Sequence, residues 1–256
     1  MMTGKAKHLH GSSALKTRER IVQTSLYLFN QEGESHVTTL DIANEMDISP
    51  GNLYYHFRGK EQIIEEIFGR FEHSMTDIYS APIKKTLTVE DTWFYLFVVF
   101  EEIYNYRFLY YSLTDITQRY DVIGKRFKQL LHLKLQSAKA LCRSLVDASI
   151  LKATDTQLDG LANSIVLTIT YWMSYNYLQT GNKDSEIVLH KGVYQVMSLI
   201  APYLTPETQY FFDESSNLYK QLIESITIKT NKLLSDKIAA ADEKAPAKKK
   251  IKTVHS

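Results

Sequence analysis

The stretch that begins at Thr39 and ends at Lys60 constrains the fold of this chain more than any other, because it predicts two short helices joined by a tight turn. The hydroxyl of Thr39 can cap the first helix. Ser49 can cap the second, where Pro50 stands at the first helical position and loses nothing by lacking an N–H. Asp47 lies where the chain must leave the first helix. A pair of helices with so short a connection has the geometry of a helix-turn-helix unit.

The second of these helices carries an unusual set of outward side chains. Leu53 and Phe57, four residues apart, are predicted to point into the core. Asn52, Tyr55 and His56 are then left outward, where a surface helix would usually carry Glu and Lys. Amide and aromatic side chains of this kind suit a helix that enters a DNA major groove, and an Asn amide can pair with both edge atoms of adenine.

The charge of the chain is unevenly distributed. The net charge is only +1, yet residues 1–20 and residues 237–256 each carry +4, which leaves −7 for residues 21–236. Residues 48–60 also hold two basic side chains and no acidic one. Positive charge therefore lies at the ends of the chain and on the helix-turn-helix, where phosphates would be met. The lysine-rich C-terminus either keeps the protein soluble or adds non-specific affinity for DNA.

Composition narrows the class of protein. Five prolines and ten glycines in 256 residues, together with long amphipathic runs, predict an all-α fold. The single cysteine, Cys142, excludes an internal disulfide and a cysteine-built metal site, and the eight histidines lack metal-ligand spacing. We find no nucleophile motif, glycine-rich phosphate loop or paired carboxylates, so we expect no enzyme, cofactor or metal. Without a secretory signal or a long apolar run, the protein is expected to be cytoplasmic.

Helical periodicity divides the chain into four parts. We predict a flexible basic arm over residues 1–14, a helix-turn-helix domain over 15–60, a helical ligand-binding and dimerisation domain over 61–236, and a disordered lysine-rich tail over 237–256. Helices are predicted over residues 16–31 and 61–79, from Thr88 or Glu90 to 106, over 122–146, from Thr154 or Asp155 to 179, from 185 to before Pro202, and over 206–234.

Residues 16–71 resemble the DNA-binding region of TetR-family transcriptional regulators. The resemblance rests on Thr-Arg-Glu-Arg-Ile-Val and Leu-Phe-Asn-Gln-Glu-Gly in the first helix, and on Leu-Tyr-Tyr-His-Phe-x-x-Lys-Glu further along. Asp47 departs from the family's usual Gly, although Asp tolerates the left-handed conformation. The resemblance implies a three-helix DNA-binding domain, a C-terminal helical bundle, and a homodimer joined by helices within 155–181 and 185–234. It also implies that these residues contact DNA: Thr39, Ser49, Pro50, Gly51, Asn52, Tyr54, Tyr55, His56 and Lys60.

Ten of the thirty aromatic residues fall between Trp93 and Tyr111. They either line an apolar ligand pocket between helices or form an ordinary core and a dimer surface. Near the second tryptophan, Tyr171 and Tyr175 could equally line a pocket or a dimer seam. The candidate ligand contacts are Phe97, Phe100, Tyr104, Phe108, Tyr111, Tyr171 and Tyr175.

The same aromatic segments resemble one TetR subgroup, which includes regulators associated with polyhydroxyalkanoate gene clusters in pseudomonads. That resemblance implies an effector related to fatty acids or acyl-CoA, and repression as the family's usual output, with activation as the alternative. Two other classes of function remain open. One is a small-molecule-binding or enzymatic helical protein, and the other is a nucleoid-type protein that binds DNA non-specifically through its basic ends.

Overall fold

The computed structural model describes residues 5–81, 88–181 and 186–243. Over these ranges the protein is built from α-helices and contains no β-strand, which confirms the all-α prediction. The helices are α1 Lys5–Glu32, α2 Thr39–Glu45, α3 Pro50–His56, α4 Lys60–Ser80, α5 Val89–Asn105, α6 Arg107–Tyr111, α7 Leu113–Arg119, α8 Asp121–Asp147, α9 Asp155–Thr180, α10 Ile187–Ile200 and α11 Pro206–Glu243.

Helices α1, α2 and α3 form a small N-terminal unit, here called the head. Its core is built from Phe29, Val37, Ile42, Leu53 and Phe57, all at most 2% exposed. The inward positions predicted for the last two residues are therefore confirmed. Because each head helix buries only one face, the opposite face of α3 is left to solvent.

The head helices begin and end at specific local signals. Ser49 caps α3 by accepting a hydrogen bond from the Asn52 amide, as predicted. The cap of α2 is Thr38, not Thr39, because Thr38 and Asp41 form a reciprocal capping box. Asp47 adopts the left-handed conformation, with φ 53°, and so turns the chain between α2 and α3 where a glycine would be the unstrained choice.

The remaining helices form a larger unit, here called the body, which comprises α5 to α11. Of the alternative starts predicted, Thr88 or Glu90 for α5 and Thr154 or Asp155 for α9, the structure has the threonines, since both form capping boxes. Helix α9 ends at Gly181 in the left-handed conformation, with φ 66°. Helix α4 links head and body, and its buried face runs from Ile63 to Tyr79.

Three predictions of extent are corrected. Helix α1 begins at Lys5, because residues 5–14 lack proline and are rich in helix-forming Ala, Leu and Lys; the arm predicted over 1–14 is helical from there. Helix α11 continues to Glu243 through an alanine-rich segment, so the predicted disordered tail over 237–256 is helical over its first residues. Helices α6 and α7 were missed, because they are short and form by burying Phe108 and Ile116. Some predictions fall on parts of the chain outside the described residues, namely residues 1–4, Pro82, Ser185 and 244–256.

Candidate nucleic-acid face and ligand groove

The outer face of α3 is open to solvent along its length. Tyr54 is 63% exposed and Tyr55 is 80% exposed, although a large aromatic side chain usually buries most of its surface. Asn52 is also exposed, and His56 is half-buried with its ring edge-on to Tyr55 at 5.1 Å between centroids. The predicted DNA-contacting residues of α3, with Ser49, Pro50 and Gly51 at its start, therefore share one solvent-facing surface.

Lys60, for which the resemblance implies a DNA contact, is engaged within the protein. Its ammonium donates to the carbonyl oxygens of Glu34 and Val37 at 2.9 and 3.0 Å, and it pairs with the Glu34 carboxylate at 2.8 Å. These three contacts use all three hydrogens of the ammonium group. Lys60 therefore holds the loop before α2 in place, and Thr39, one residue beyond the observed cap, is half-buried.

Glu34 connects the head to the body. Its side chain is 1% exposed and sits in a 3-10 turn, Glu34–His36, that follows α1. Besides Lys60, it accepts hydrogen bonds from Tyr120 at 2.7 Å and from Arg119 at 3.0 Å, both at the junction of α7 and α8. A buried carboxylate with two cations and a hydroxyl around it is fully satisfied. The loop before α2 is thereby joined to the body.

A second contact between head and body lies beside the first. The Asn30 amide donates to the Asn105 carbonyl oxygen at 2.8 Å, and its side-chain oxygen accepts from the Phe108 amide at 3.1 Å. Next to it the rings of Phe29 and Phe108 pack at 5.4 Å. The end of α1 is therefore anchored on the break between α5 and α6.

Charged side chains also fix α4 against its neighbours. Arg70 binds Glu19 of α1 in a two-pronged arrangement at 2.7 and 2.8 Å, and Arg18 reaches Glu66 at 2.8 Å. The hydrogen bond from Arg18 lowers the pKa of Glu66 to about 2. On the other side of α4, Arg126 of α8 pairs with Glu72. Helix α4 is thus held to both head and body.

An open groove of about 890 Å³ lies on the body between α7, α8 and α9. Leu131 and Leu135 of α8 face Val166 and Leu167 of α9 across it. The lining combines apolar side chains with polar and charged groups from α7 and α8, which is the usual character of a small-molecule site. The remaining lining residues are Leu113, Thr114, Thr117, Gln118, Asp121, Gly124, Lys125, Phe127, Lys128, His132, Asn163, Thr170 and Tyr171.

Of the seven aromatic residues predicted to contact a ligand, Tyr171 lines this groove and the other six do not. Helix α5 instead turns its aromatic face toward α10: Phe97 packs on His190, and Phe100 lies against Gly192, where a Cβ would collide with its ring. Phe108 belongs to the contact with the head. Of the three remaining predicted ligand contacts, Tyr104 and Tyr111 pack against the core and Tyr175 is exposed on α9.

Sequence reasoning missed Lys134, the most unusual residue near the groove. It is 2% exposed and follows Leu130 and precedes Ala138 at intervals of four, so it lies in the buried stripe of α8. Burial lowers the pKa of Lys134 to about 7. A lysine at the i+4 position of an apolar stripe was a signal in the sequence that could have identified it.

Comparison with known proteins agrees with this architecture. Residues 21–67 match the family model described as bacterial regulatory proteins, tetR family, and residues 70–212 match the model described as bacterial transcriptional repressor, TetR. The second match alone covers more than half of the chain. This protein belongs to the TetR family. The boundary between the two matches falls within α4, the helix that links head and body.

Relatives of known structure and of curated function show how far the likeness extends. A TetR-family transcriptional regulator from Marinobacter aquaeolei VT8 is 34% identical, with a TM-score of 0.72 over 79% of this chain and 98% of that one. The biofilm operon icaADBC negative transcriptional regulator IcaR of Staphylococcus aureus strain Newman is 24% identical over 60% of this chain and 81% of its own.

Other curated relatives match over shorter stretches. The HTH-type transcriptional repressor KstR2 of Mycolicibacterium smegmatis is 32% identical over 29% of this chain. The matches to the first curated relatives span only 26% to 40% of those proteins' length. Within the described residues, no helix combines the length and the apolar content that crossing a bilayer requires.

Proposed function

We propose that this TetR-family protein is a sequence-specific transcriptional repressor, which binds an inverted-repeat operator as a homodimer and releases it on binding a small apolar effector in the cytoplasm. The observation that carries the proposal is the outer face of α3, where Asn52, Tyr54 and Tyr55 stand exposed above the buried Leu53 and Phe57. A helix with such a face is suited to the major groove. Head residues 15–60 would bind DNA, and residues 61–236 would bind effector and partner.

Roles on DNA follow from where these side chains lie. Asn52 can form the two hydrogen bonds that select adenine, and Tyr55 can contact base edges or thymine methyl groups. Tyr54, on the other side of Asn52, would pack on the sugar-phosphate backbone, and His56 would bind phosphate. Ser49, Pro50 and Gly51 bring the start of α3 close to the DNA. Lys60 would contribute by shaping the loop before α2 and not by touching phosphate.

The homodimer is supported by an unpartnered apolar stripe on α9. Leu167, Tyr171, Tyr175 and Leu178 recur at intervals of four, four and three, and are 49% to 83% exposed. The first two also line the groove, so the proposed seam would border it. One recognition helix reads too few base pairs for specificity, whereas a two-fold dimer places two of them about 34–36 Å apart, or a multiple of that distance. Helix α9, with α10 and α11, would form the seam with the same helices of the partner.

The effector is proposed to be an apolar molecule related to fatty acids or acyl-CoA, in line with the resemblance to regulators of polyhydroxyalkanoate gene clusters. The apolar groove between α8 and α9 is the site we assign to it. Residues Thr117 and Gln118 line the groove, and Arg119 and Tyr120 directly after them hold Glu34 of the head. An effector that binds better when α7 is displaced would therefore weaken the hold on the head.

The decisive experiment is selection of bound duplexes from a random library by the purified full-length protein at physiological salt. We expect an enriched inverted repeat whose half-sites are one helical turn apart, or a multiple. Genes that flank matching genomic sites would then indicate the effector, and reporter assays would separate repression from activation. Recovery of no motif would contradict the proposal and favour a nucleoid-type protein.

A nucleoid-type binder makes a different prediction for the lysine-rich C-terminus. Deleting residues 237–256 should abolish DNA binding if the basic ends do the binding. The sequence-specific repressor should lose little affinity for its operator on this deletion, and its affinity should fall less steeply with salt because fewer counterions are released.

A further inference from the structure

Lys134 carries its ammonium group into the centre of the body without a carboxylate partner. Among the described residues its Nζ contacts only neutral groups, the Thr170 hydroxyl at 3.2 Å and the Tyr110 hydroxyl at 3.5 Å. The rings of Tyr110 and Phe127 lie 5.4 and 5.9 Å from it, and their faces attract the positive charge only weakly. A buried charge is normally paired, so this arrangement is incomplete.

A second buried polar group in the same region is also unsatisfied. The hydroxyl of Tyr79 on α4 is buried and has no hydrogen-bond partner among the described residues. It lies close enough to the hydroxyls of Tyr110 and Tyr95 for their charges to affect it, and burial raises its pKa. Among the described residues, an ammonium without an anion and a hydroxyl without an acceptor are therefore both neighbours of Tyr110. Each needs an acceptor, and an anion would supply both.

The groove leads to this cluster. Thr170 and Phe127 line its inner wall, and the same two side chains are in contact with Lys134. A ligand lying between α8 and α9 needs to pass only this single layer of side chains to reach the ammonium. Thr170 and Phe127 thus connect the lining of the groove with the buried cation.

We propose that the groove binds an apolar molecule ending in a single carboxylate, which passes Thr170 and pairs with the Lys134 ammonium. Tyr110 and Tyr79 donate hydrogen bonds to the same carboxylate. This inference rests on the proposed function in one respect, since it gives the chemical class of the effector. A singly charged head group matches the one charge of Lys134, whereas a dianion would leave a second charge unpaired in the core.

Binding of such a ligand should be accompanied by proton uptake. With its pKa lowered to about 7 by burial, much of Lys134 is neutral at pH 8 in the free protein. Tyr110, which contacts the ammonium, and Tyr79, which interacts with Tyr110, stay neutral because burial raises their pKa values. A carboxylate beside the amine favours its charged form, so the amine takes up a proton as the ligand binds.

The test uses the full-length protein with dodecanoate and with 1-dodecanol, which has the same chain length and no charge. Calorimetry at pH 8 in buffers of different ionisation enthalpy should show tighter binding of dodecanoate, with net proton uptake. Lys134→Met should weaken dodecanoate binding at least tenfold and abolish the uptake. Lys139→Met is the control, because Lys139 lies on the same helix, is exposed, and pairs with Asp159 on the surface.

A second variant keeps the test independent of how Lys134→Met folds. Tyr79→Phe removes one hydroxyl and should weaken dodecanoate binding several-fold without affecting dodecanol. Equal affinity for the two ligands, or dodecanoate binding that is indifferent to both substitutions, would overturn the inference. DNA selection on the same protein separates the two proposals: an enriched operator with no carboxylate binding overturns only this inference, and carboxylate binding with no operator overturns only the proposed function.

Discussion

The hydroxyl of Tyr120 donates a 2.7 Å hydrogen bond to the carboxylate of Glu34, and these two residues belong to different parts of the molecule. Tyr120 stands between α7 and α8 of the body, whereas Glu34 lies in the turn that follows α1 of the head. Lys60 binds the same carboxylate from the start of α4. The orientation of the head is therefore set by a buried group that the body, the linking helix and the head share.

Removing that hydroxyl should loosen the head without unfolding it. Tyr120→Phe leaves the carboxylate of Glu34 with Lys60 and Arg119 but takes away its shortest hydrogen bond, and we expect a loss of about 1–2 kcal/mol in the free energy of unfolding. Operator affinity should fall several-fold, because the two heads of a dimer must be preset in spacing. Denaturant titration and DNA titration measure the two effects. Tyr27→Phe, at an exposed tyrosine, serves as the control. A Tyr120→Phe variant with the stability and operator affinity of the parent protein would contradict this role of the hydroxyl.

The exposed face of α3 can be tested with a pair of tyrosines of similar exposure. Tyr54→Ala should reduce operator affinity by roughly tenfold or more, since backbone packing on DNA is lost, while stability changes little. Tyr27→Ala removes a side chain that is 58% exposed, close to the 63% of Tyr54, but on α1. It should bind the operator normally. Equal affinities in an electrophoretic or anisotropy titration would refute the assignment of the DNA face.

The stability of the head and of α4 should depend on acid through Glu66. Its pKa is held at about 2 in the folded protein, chiefly by the hydrogen bond from Arg18, against an ordinary value of 4.5. The stabilisation is therefore complete above pH 4.5 and is lost as the pH falls from there to 2. Because Glu66 remains partly exposed, we expect about 1–2 kcal/mol.

Glu66→Gln should remove this part of the acid sensitivity. Urea titrations at pH 7 and pH 3 should give a smaller difference for Glu66→Gln than for the parent protein. Glu65→Gln is the matched control, since Glu65 forms no ion pair among the described residues. If both variants showed the acid sensitivity of the parent, the ion pair with Arg18 would not be its source.

The apolar stripe on α9 predicts the oligomeric state. Leu178 is 83% exposed and Tyr175 is 53% exposed at the C-terminal end of that helix. Leu178→Asp combined with Tyr175→Asp should convert a dimer into a monomer, because two charges would be buried in the seam. Light scattering after size-exclusion chromatography gives the mass. A dimer that survives this double substitution would show that the seam lies elsewhere.

Lys134 should make the stability of the free protein rise with pH. The unfolded side chain keeps its proton up to about its ordinary pKa of 10.5, whereas the folded one loses it near pH 7. The cost of burying the charge is therefore fully present below pH 7 and is relieved as the pH rises to 10.5. Lys134→Met should stabilise the protein at pH 6 by an amount on the order of 4 kcal/mol, which thermal unfolding would detect. Lys139→Met should not stabilise the protein. Equal melting temperatures for the two variants at pH 6 would contradict the presence of a buried charge at Lys134.

Features with a local cause could be predicted from the sequence. The caps of α3, α5 and α9, the turn at Asp47 and the end of α9 at Gly181 each depend on neighbours within a few residues. The register of α3 was predictable for the same reason, since two inward residues four positions apart determine which side chains face outward. The family resemblance extended this reasoning to the role of the exposed face.

Features that depend on distant residues could not be predicted. The family resemblance implies a DNA contact for Lys60, and only the fold brings it to Glu34, 26 residues earlier. The aromatic run of α5 has the composition of a pocket, but its rings fill the interface with α10. The groove instead comes from α7, α8 and α9, whose lining residues carry no distinctive pattern.

The incomplete surroundings of Lys134 also bear on how long the protein persists in the cell. A molecule that binds only the folded form stabilises that form by mass action. The stabilisation is larger when the ligand supplies a counter-charge that the core lacks. Proteases act on the unfolded fraction, so the abundance of the protein would rise with the supply of its ligand. The rate of degradation would then respond to the same ligand that releases the protein from DNA, but over hours.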